Sequence, residues 1–544
     1  MNNKYKDFSR EQLIDKILKL EKERYGLVWE DKEEEVAKRC DSELPLLKED
    51  CTKEIICDST LPYNIIIEGD NYHSLYALNF THKKSIDVIY IDPPYNTGNN
   101  DFRYNDSYVD KTDRFRHSKW LSFMSKRLRL AKNLLSNNGL IFISIDENEF
   151  AQLKLLCDSI FTEKNYVVDL IWNSRKSVSN DTIVSLNHNH TLIYARNIDI
   201  IQHNKVNYRL RGSKEKFSNP DNDPRGEWTA DPFDAPEIRE NLTYVIENPN
   251  TGKKYLPPKG RHWRTTEEEY KKFLADGRIV FGKTGKSKPQ LKRFYYEAEK
   301  KGVVSKSIWD DVGTTTNGTQ ELEKILGEKK FNNPKPMSFL LKILELASSK
   351  DSTVLDFFAG SGTTGHAVLA MNRRDGGNRK FILCTNNENN ICTEVTYPRI
   401  EKVIKGYSSI EGIPANLKYY TQTFVPIITS DNDKRELVNR STEMLCITED
   451  CFERVRNRDD HSDFSVFKNA KKQMAIIYDE DSICECIDYL NEHKSELKTI
   501  IYVFSYDHTY DSEDFEGLTI NFSVKPIPEA IINVYRKISK MKKK

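Results

Sequence analysis

The stretch IDVIYIDPPYNTG, residues 86–98, decides the class of fold. Ile86 to Ile91 form a short, nearly unbroken apolar run, the pattern of a strand covered on both faces, as in a parallel sheet. The run stops abruptly at Asp92, Pro93, Pro94 and Tyr95. Parallel sheets bind ligands beyond the carboxyl ends of their strands, which puts this loop at the working edge. Two successive prolines fix φ and remove two N–H donors, so the loop is stiff and presents carbonyls. Asp92 adds a carboxylate and Tyr95 a flat ring. The set suits a pocket that accepts hydrogen bonds from an amino group and stacks on a base. An accidental turn explains it poorly.

Similar runs recur outward from this stretch: NIIIE at 64–68, LIFISI at 140–145, VLDFF at 354–358 and FILC at 381–384. Residues 167–172 and 191–194 fit two more strands. Helical spacing appears at 72–80, 118–135 and 335–349. The alternation predicts a doubly wound, Rossmann-like α/β core. It fails between 200 and 330 and then resumes, so one sheet interrupted by an inserted module is expected rather than two sheets. The expected organisation is an N-terminal helical region at 1–60, a first core segment at 61–200, the insertion at 201–333, a second core segment at 334–405, and an α+β accessory domain at 406–544. In the N-terminal region Ser9 and Gln12 form a capping-box pattern ahead of an apolar face made by Leu13, Ile14, Ile17, Leu18 and Leu20.

The second chemical motif is DFFAGSGTTG at 356–365. A buried strand runs into a glycine turn and a helix, with Gly360, Gly362 and Gly365 letting backbone approach a nucleotide-like ligand. A nicotinamide dinucleotide is one reading. However, Asp356 just before the turn would repel a pyrophosphate and suit an ammonium, such as the methionine end of S-adenosylmethionine (AdoMet). The next strand, FILC, is followed by Glu388, an acid placed for ribose hydroxyls.

Composition bounds the rest. The 544 residues are 38% hydrophobic and 31% charged, with 83 basic and 83 acidic side chains, which excludes a uniformly basic nucleic-acid coat. No apolar run is long enough to cross a bilayer. The start, MNNKYKDFSREQ, has no apolar signal core, so a cytoplasmic protein is expected. Ten scattered cysteines read as reduced thiols, and Cys484 with Cys486 lacks the second ligand pair of a zinc site. His188 and His190 read as hydrogen-bonded rather than metal-binding, and no metal is expected. The window 251–300 holds 14 basic and 6 acidic residues, a surplus of 8 in a neutral chain. Trp263, Phe281, Phe294, Tyr295 and Tyr296 are interleaved with them, the composition of a nucleic-acid-facing surface. A solvated loop-rich insertion is the plainer alternative. GKTGKS at 282–287 lacks the first glycine of a phosphate loop.

The two motifs in this order resemble the β group of amino-directed DNA methyltransferases, in which the catalytic motif precedes the AdoMet motif and a target-recognition domain lies between. IIIEGDNYHSL, SKWLSFMSKRLRLAKNLL, GLIFISIDENE and FNNPKP are similar to family blocks, and the set resembles the modification (Mod) subunit of type III restriction–modification systems. Asp92 at the head of the catalytic loop resembles the adenine-N6 branch. The resemblance implies methyl transfer from AdoMet to adenine N6 in double-stranded DNA, on an extruded base. Asp92, Pro93, Pro94 and Tyr95 would be catalytic. Asp356, Phe358, Gly360, Gly362, Thr363, Glu388, Asp70, Pro334, Lys335 and Pro336 would bind the cofactor. A homodimer is implied, with a restriction (Res) subunit as a further partner and no membrane association. The alternatives are a solitary or cytosine-N4 enzyme and a non-catalytic DNA-recognition subunit.

Overall fold

The computed structural model describes residues 8–15, 27–212, 214–282, 284–459, 462–505, 510, 513–527 and 529–542. Ile17, Leu18 and Leu20 of the expected N-terminal apolar face lie outside them. The capping box is present: Ser9 N–H donates to Gln12 Oε1 at 2.8 Å and Gln12 N–H to Ser9 Oγ at 3.2 Å. The described residues divide into two units, 204–305 and the remainder.

The larger unit is built on a ten-stranded sheet. In chain order its strands are β1 (Glu43–Glu49), β2 (Tyr63–Glu68), β3 (Ile86–Ile91), β4 (Leu135–Ile145), β5 (Tyr166–Asn173), β6 (His188–Ala195), β7 (Ile308–Trp309), β8 (Thr353–Asp356), β9 (Lys380–Thr385) and β10 (Asn416–Pro426). In space they run β1-β10-β2-β9-β8-β3-β4-β6-β5-β7. From β10 to β4 every pairing is parallel; β6 is antiparallel to both of its neighbours. Ile66, Ile67, Ile89, Ile91, Ile141, Ile143, Leu355 and Leu383 are fully buried, which is why these strands read as continuous apolar runs. Helices α1 (Asn71–Thr81), α2 (Arg116–Leu134), α3 (Phe150–Phe161), α4 (Met337–Ala347), α5 (Thr363–Asp375) and α6 (Tyr397–Lys405) complete the doubly wound core.

The sheet reaches beyond the expected core at both ends. β1 falls inside the range read as helical, and β10 lies past 405, seated between β1 and β2. The remaining tail forms a five-stranded sheet (453–527) and a final helix whose Ile531 and Tyr535 belong to the same apolar cluster as Leu46 and Tyr76 of the core. Tyr535 donates to the Pro45 carbonyl at 2.8 Å. The tail thus shares the core's apolar interior through one face and closes a second interior of its own around Val466, Ile477, Leu490, Ile501 and Phe515, an arrangement that charge-rich helices and short strands did not signal.

The smaller unit has its own core of Phe233, Ile246, Trp263, Tyr270, Ile279 and Phe281. This corrects the expectation of an aromatic-studded surface: Trp263, Phe281 and Phe294 are buried, and Tyr296 is exposed. A region with so few aliphatic residues uses its large rings to build an interior. Among the described residues no helix is long and apolar enough to cross a membrane.

Candidate active site

β3 and β8 are neighbours in the sheet and parallel, so positions 92 and 356 emerge side by side at one edge. That adjacency unites two motifs far apart in sequence.

Asp92 is held from two directions. Tyr95 donates its phenol proton to Asp92 Oδ1 at 2.8 Å, and the Lys335 ammonium bonds Oδ2 and also reaches the Tyr95 hydroxyl at 3.0 Å. Lys335 is buried; burial also pushes the Tyr95 phenol well above its ordinary range, so it stays a neutral donor. The Pro94 carbonyl does not face outward as expected: it accepts from Trp120 Nε1 of α2 at 2.7 Å. Asn96 takes a left-handed conformation (φ 58°) and is fully buried. Its amide donates to Glu149 Oε1 at 2.5 Å, and His117 Nδ1 lies 2.7 Å from the same oxygen. Glu149, at the start of α3, therefore ties the loop after β3 to α2; burial lifts its carboxyl to about 8.

The glycine turn is braced from within. Asp356 Oδ1 accepts from Phe358 N–H at 3.0 Å and Oδ2 from Thr364 Oγ1 at 2.6 Å. Burial raises this carboxyl to about 7. Both of its oxygens hold the turn. Gly360 and Gly362 have φ of 49° and 73°, open to glycine at little cost. A Cβ on Gly360 would sit 3.1 Å from the Phe331 ring. The fully buried Arg399 clamps the turn from behind through Thr363 Oγ1 at 2.6 Å and the Ser361 carbonyl at 3.3 Å.

A cavity of about 1220 Å³ opens over both loops. Asp70, Asp92, Pro93, Pro94, Tyr95, Lys335, Phe358, Gly360 and Glu388 line it. Asp356, Gly362, Thr363, Pro334 and Pro336 do not: they lie behind the turn or at the start of α4. Asp70 caps α1, accepting from Tyr72 N–H at 2.7 Å, and pairs with Arg127 at 3.4 Å. Glu388 follows β9 and pairs with Arg103 at 3.4 Å. His190 bonds Asp169 Oδ2 at 2.8 Å and stacks on Phe150.

Sequence reasoning missed Arg127, Asn71 and Glu149. Arg127 is fully buried, pairs with Glu34 at 2.7 Å, bonds Asn71 Oδ1 and covers the Phe123 ring. Asn71 in turn donates to the Phe357 carbonyl at 3.0 Å, so Arg127 steadies the cavity floor. A signal existed: Trp120, Met124, Arg127, Ala131 and Leu134 share one helix face, and a cation on an otherwise apolar stripe calls for buried partners.

A family model described as DNA methylase matches residues 86–397, a span that starts at β3 and ends in α6. The chain belongs to the DNA methylases. This is a family of AdoMet-dependent DNA methyltransferases. Over 388 residues the methylase is 36% identical to the type III restriction-modification enzyme StyLTI Mod subunit of Salmonella typhimurium, covering 65% of this chain and 58% of that one. It is 31% identical over 388 residues to the type II methyltransferase M.KpnI of Klebsiella pneumoniae, covering 65% and 87%. It is also 31% identical over 456 residues to the type III EcoPI Mod subunit of Escherichia phage P1, covering 70% and 67%. The methylase thus spans little more than half the length of the StyLTI relative.

Proposed function

We propose that this chain methylates adenine N6 in double-stranded DNA as the modification subunit of a type III restriction–modification system. One observation carries the reading: a carboxylate and a flat ring, Asp92 and Tyr95, face the same cavity as the Phe358–Gly360 turn. The cavity suits AdoMet. A Cβ at Gly360 would press on the Phe331 ring at 3.1 Å, Phe358 offers a ring, and Asp70 and Glu388 offer acceptors for amino and hydroxyl groups. Bound AdoMet supplies an electrophilic methyl group.

The rest falls to the chain. The adenine amino lone pair is delocalised into the ring and nucleophilically weak. Hydrogen bonds from N6–H to Asp92 and to the Pro93 carbonyl localise it toward the methyl group. Lys335 and Tyr95 hold the Asp92 oxygens in place in advance, so little reorganisation is needed. The N–C bond forms as the S–C bond breaks, and N6 sheds one proton, for which Asp92 is the adjacent acceptor. A base inside a duplex cannot reach this site, so adenine is extruded, and stacking on Tyr95 returns roughly 1–3 kcal/mol. The unit at 204–305 is the target reader. We further assign a homodimer, a cytoplasmic location and a Res subunit as partner.

The test is long-read modification sequencing of plasmid DNA from cells expressing this chain alone. N6-methyladenine on one strand of one short, non-palindromic motif is the expected result. A palindromic motif modified on both strands points to the second reading, a solitary type II enzyme, which the 87% coverage of M.KpnI supports. No modified base while AdoMet binds points to a DNA-recognition subunit.

A further inference from the structure

We propose that the loop joining β5 to β6, residues 174–187, is a wedge that fills the gap left in the DNA stack when the target base is extruded. The proposal rests on the reading of this site as a DNA methyltransferase and adds the element that holds the duplex open.

Three observations support it. First, position: the loop leaves the carboxyl end of β5, and its feet, Ser174 and Arg175 on one side and Asn189 on the other, line the cavity that holds Asp92. Secondly, the stalk is pinned. Arg175 N–H donates to the Asn187 carbonyl at 3.1 Å, and the Asn187 amide donates to the carbonyls of Arg175 at 3.1 Å and Ser177 at 2.7 Å. Ser179 N–H reaches Ser185 Oγ at 3.0 Å nearer the tip. Thirdly, the tip is apolar and bare. Ile183 is 103% exposed, Val184 73%, Val178 70% and Leu186 51%. A tip with no interior of its own, carried on a braced stalk, is built to bury itself elsewhere.

The charge pattern selects the occupant. Arg175 and Lys176 stand at the N-terminal foot of the loop and Asp181 is the single acid in 174–187, so the loop suits a phosphate-lined partner. An extruded base leaves a slot bounded by the apolar faces of two base pairs, and aliphatic side chains are known to enter such slots as wedges. A second copy of this chain is the competing occupant. It is disfavoured because the feet of the loop line the cavity that DNA itself must approach.

The test uses the full chain carrying both Ile183→Ser and Val184→Ser, with duplexes containing the motif found by sequencing. On ordinary duplex the methylation rate at limiting DNA is expected to fall about tenfold or more, about 1.4 kcal/mol of lost help with extrusion. AdoMet binding is expected to be unchanged. On a duplex whose target adenine faces an abasic site, extrusion costs little and the variant is expected to recover to within about twofold of the unaltered chain. An equal loss on both duplexes, or no loss on either, overturns the wedge. A change in sedimentation mass without a change in the duplex ratio assigns the tip to contact between copies and also overturns it. Failure of the underlying reading is seen separately, as absence of N6-methyladenine with the unaltered chain, and removes the wedge with it.

Discussion

In β2, β3 and β9 each strand has six residues and at least four are buried, whereas the longest strands in the unit 204–305 have five residues and the shortest two. Strand Trp228–Pro232 buries none of its residues fully. The smaller unit is held by a knot of rings and by cations on carboxylates. Lys292 and Arg225 meet on Asp223 at 2.8 and 2.9 Å, and Arg225 also meets Asp276 at 2.7 Å. Arg225 holds the Asp223 carboxyl well below its usual range. A sheet of long aliphatic strands can carry chemistry at its strand ends because nothing in its interior depends on the loops. The smaller unit has no such reserve: some of its cations are bound to its own acids, so its count of basic residues overstates what it can offer a partner.

The sharpest break between the two regions comes from single substitutions. Asp92→Ala removes an acceptor at a strand end and none of the core. Methyl transfer is expected to fall by about 10³-fold or more, with AdoMet binding retained. Calorimetric titration of AdoMet beside a methylation assay checks this; loss of binding would make Asp92 a member of the scaffold. Trp263→Ala should do the reverse. Trp263 is fully buried, packs on Phe233 at 5.9 Å and donates to the Tyr244 carbonyl at 2.8 Å. Its truncation is expected to destabilise the smaller unit by about 3–5 kcal/mol. Limited proteolysis should then cut within 204–305 while AdoMet binding persists. If AdoMet binding disappears as well, the two units are not independent.

How much of this was legible differs by region for the same reason. The parallel core announced itself because a strand buried on both faces must be apolar along its length, as Ile86–Ile91 is. The place of the loop at 92–95 on the cavity was legible because prolines, an acid and an aromatic have no packing reason to follow such a strand. The role of Asp356 was not. Its position before a glycine turn suggested a ligand, whereas the fold sets it outside the cavity lining and bonds it to Phe358 N–H and Thr364 Oγ1. The aromatics of 251–300 failed in a similar way. Composition counts rings and charges but not which side they face, and a small unit poor in aliphatics must bury its rings.

Glu149 sharpens the comparison at the edge of the core. Its carboxyl titrates at about 8 in the fold against an ordinary 4.5, because burial penalises the charge. The folded state therefore keeps a proton that the unfolded chain releases, and stability falls as pH rises through that window. Glu149→Gln keeps the shape and an acceptor for Asn96 but does not titrate. The variant is expected to match the unaltered chain near pH 5 and to melt about 1–3 °C higher near pH 8.5. Thermal melts across that range check it. Parallel pH curves would mean that Glu149 is ionised in the fold.

The smallest expected effect tests what the smaller unit offers DNA. Lys259 is exposed in the turn before strand Arg261–Trp263, so its removal disturbs no core. If it contacts a phosphate, Lys259→Ala weakens binding by about threefold on every sequence and lowers the slope of log affinity against log salt by about 1. If it reads a base edge, the loss is confined to one position of the motif and the salt slope hardly changes. Fluorescence anisotropy at several salt concentrations separates the two. Arg261, two residues on, is the internal control. It already serves Asp234, so its removal should weaken the fold of the unit before it weakens contact with DNA. A Lys259 variant that behaved like an Arg261 variant would erase the distinction drawn between charges that hold this unit together and charges that face outward.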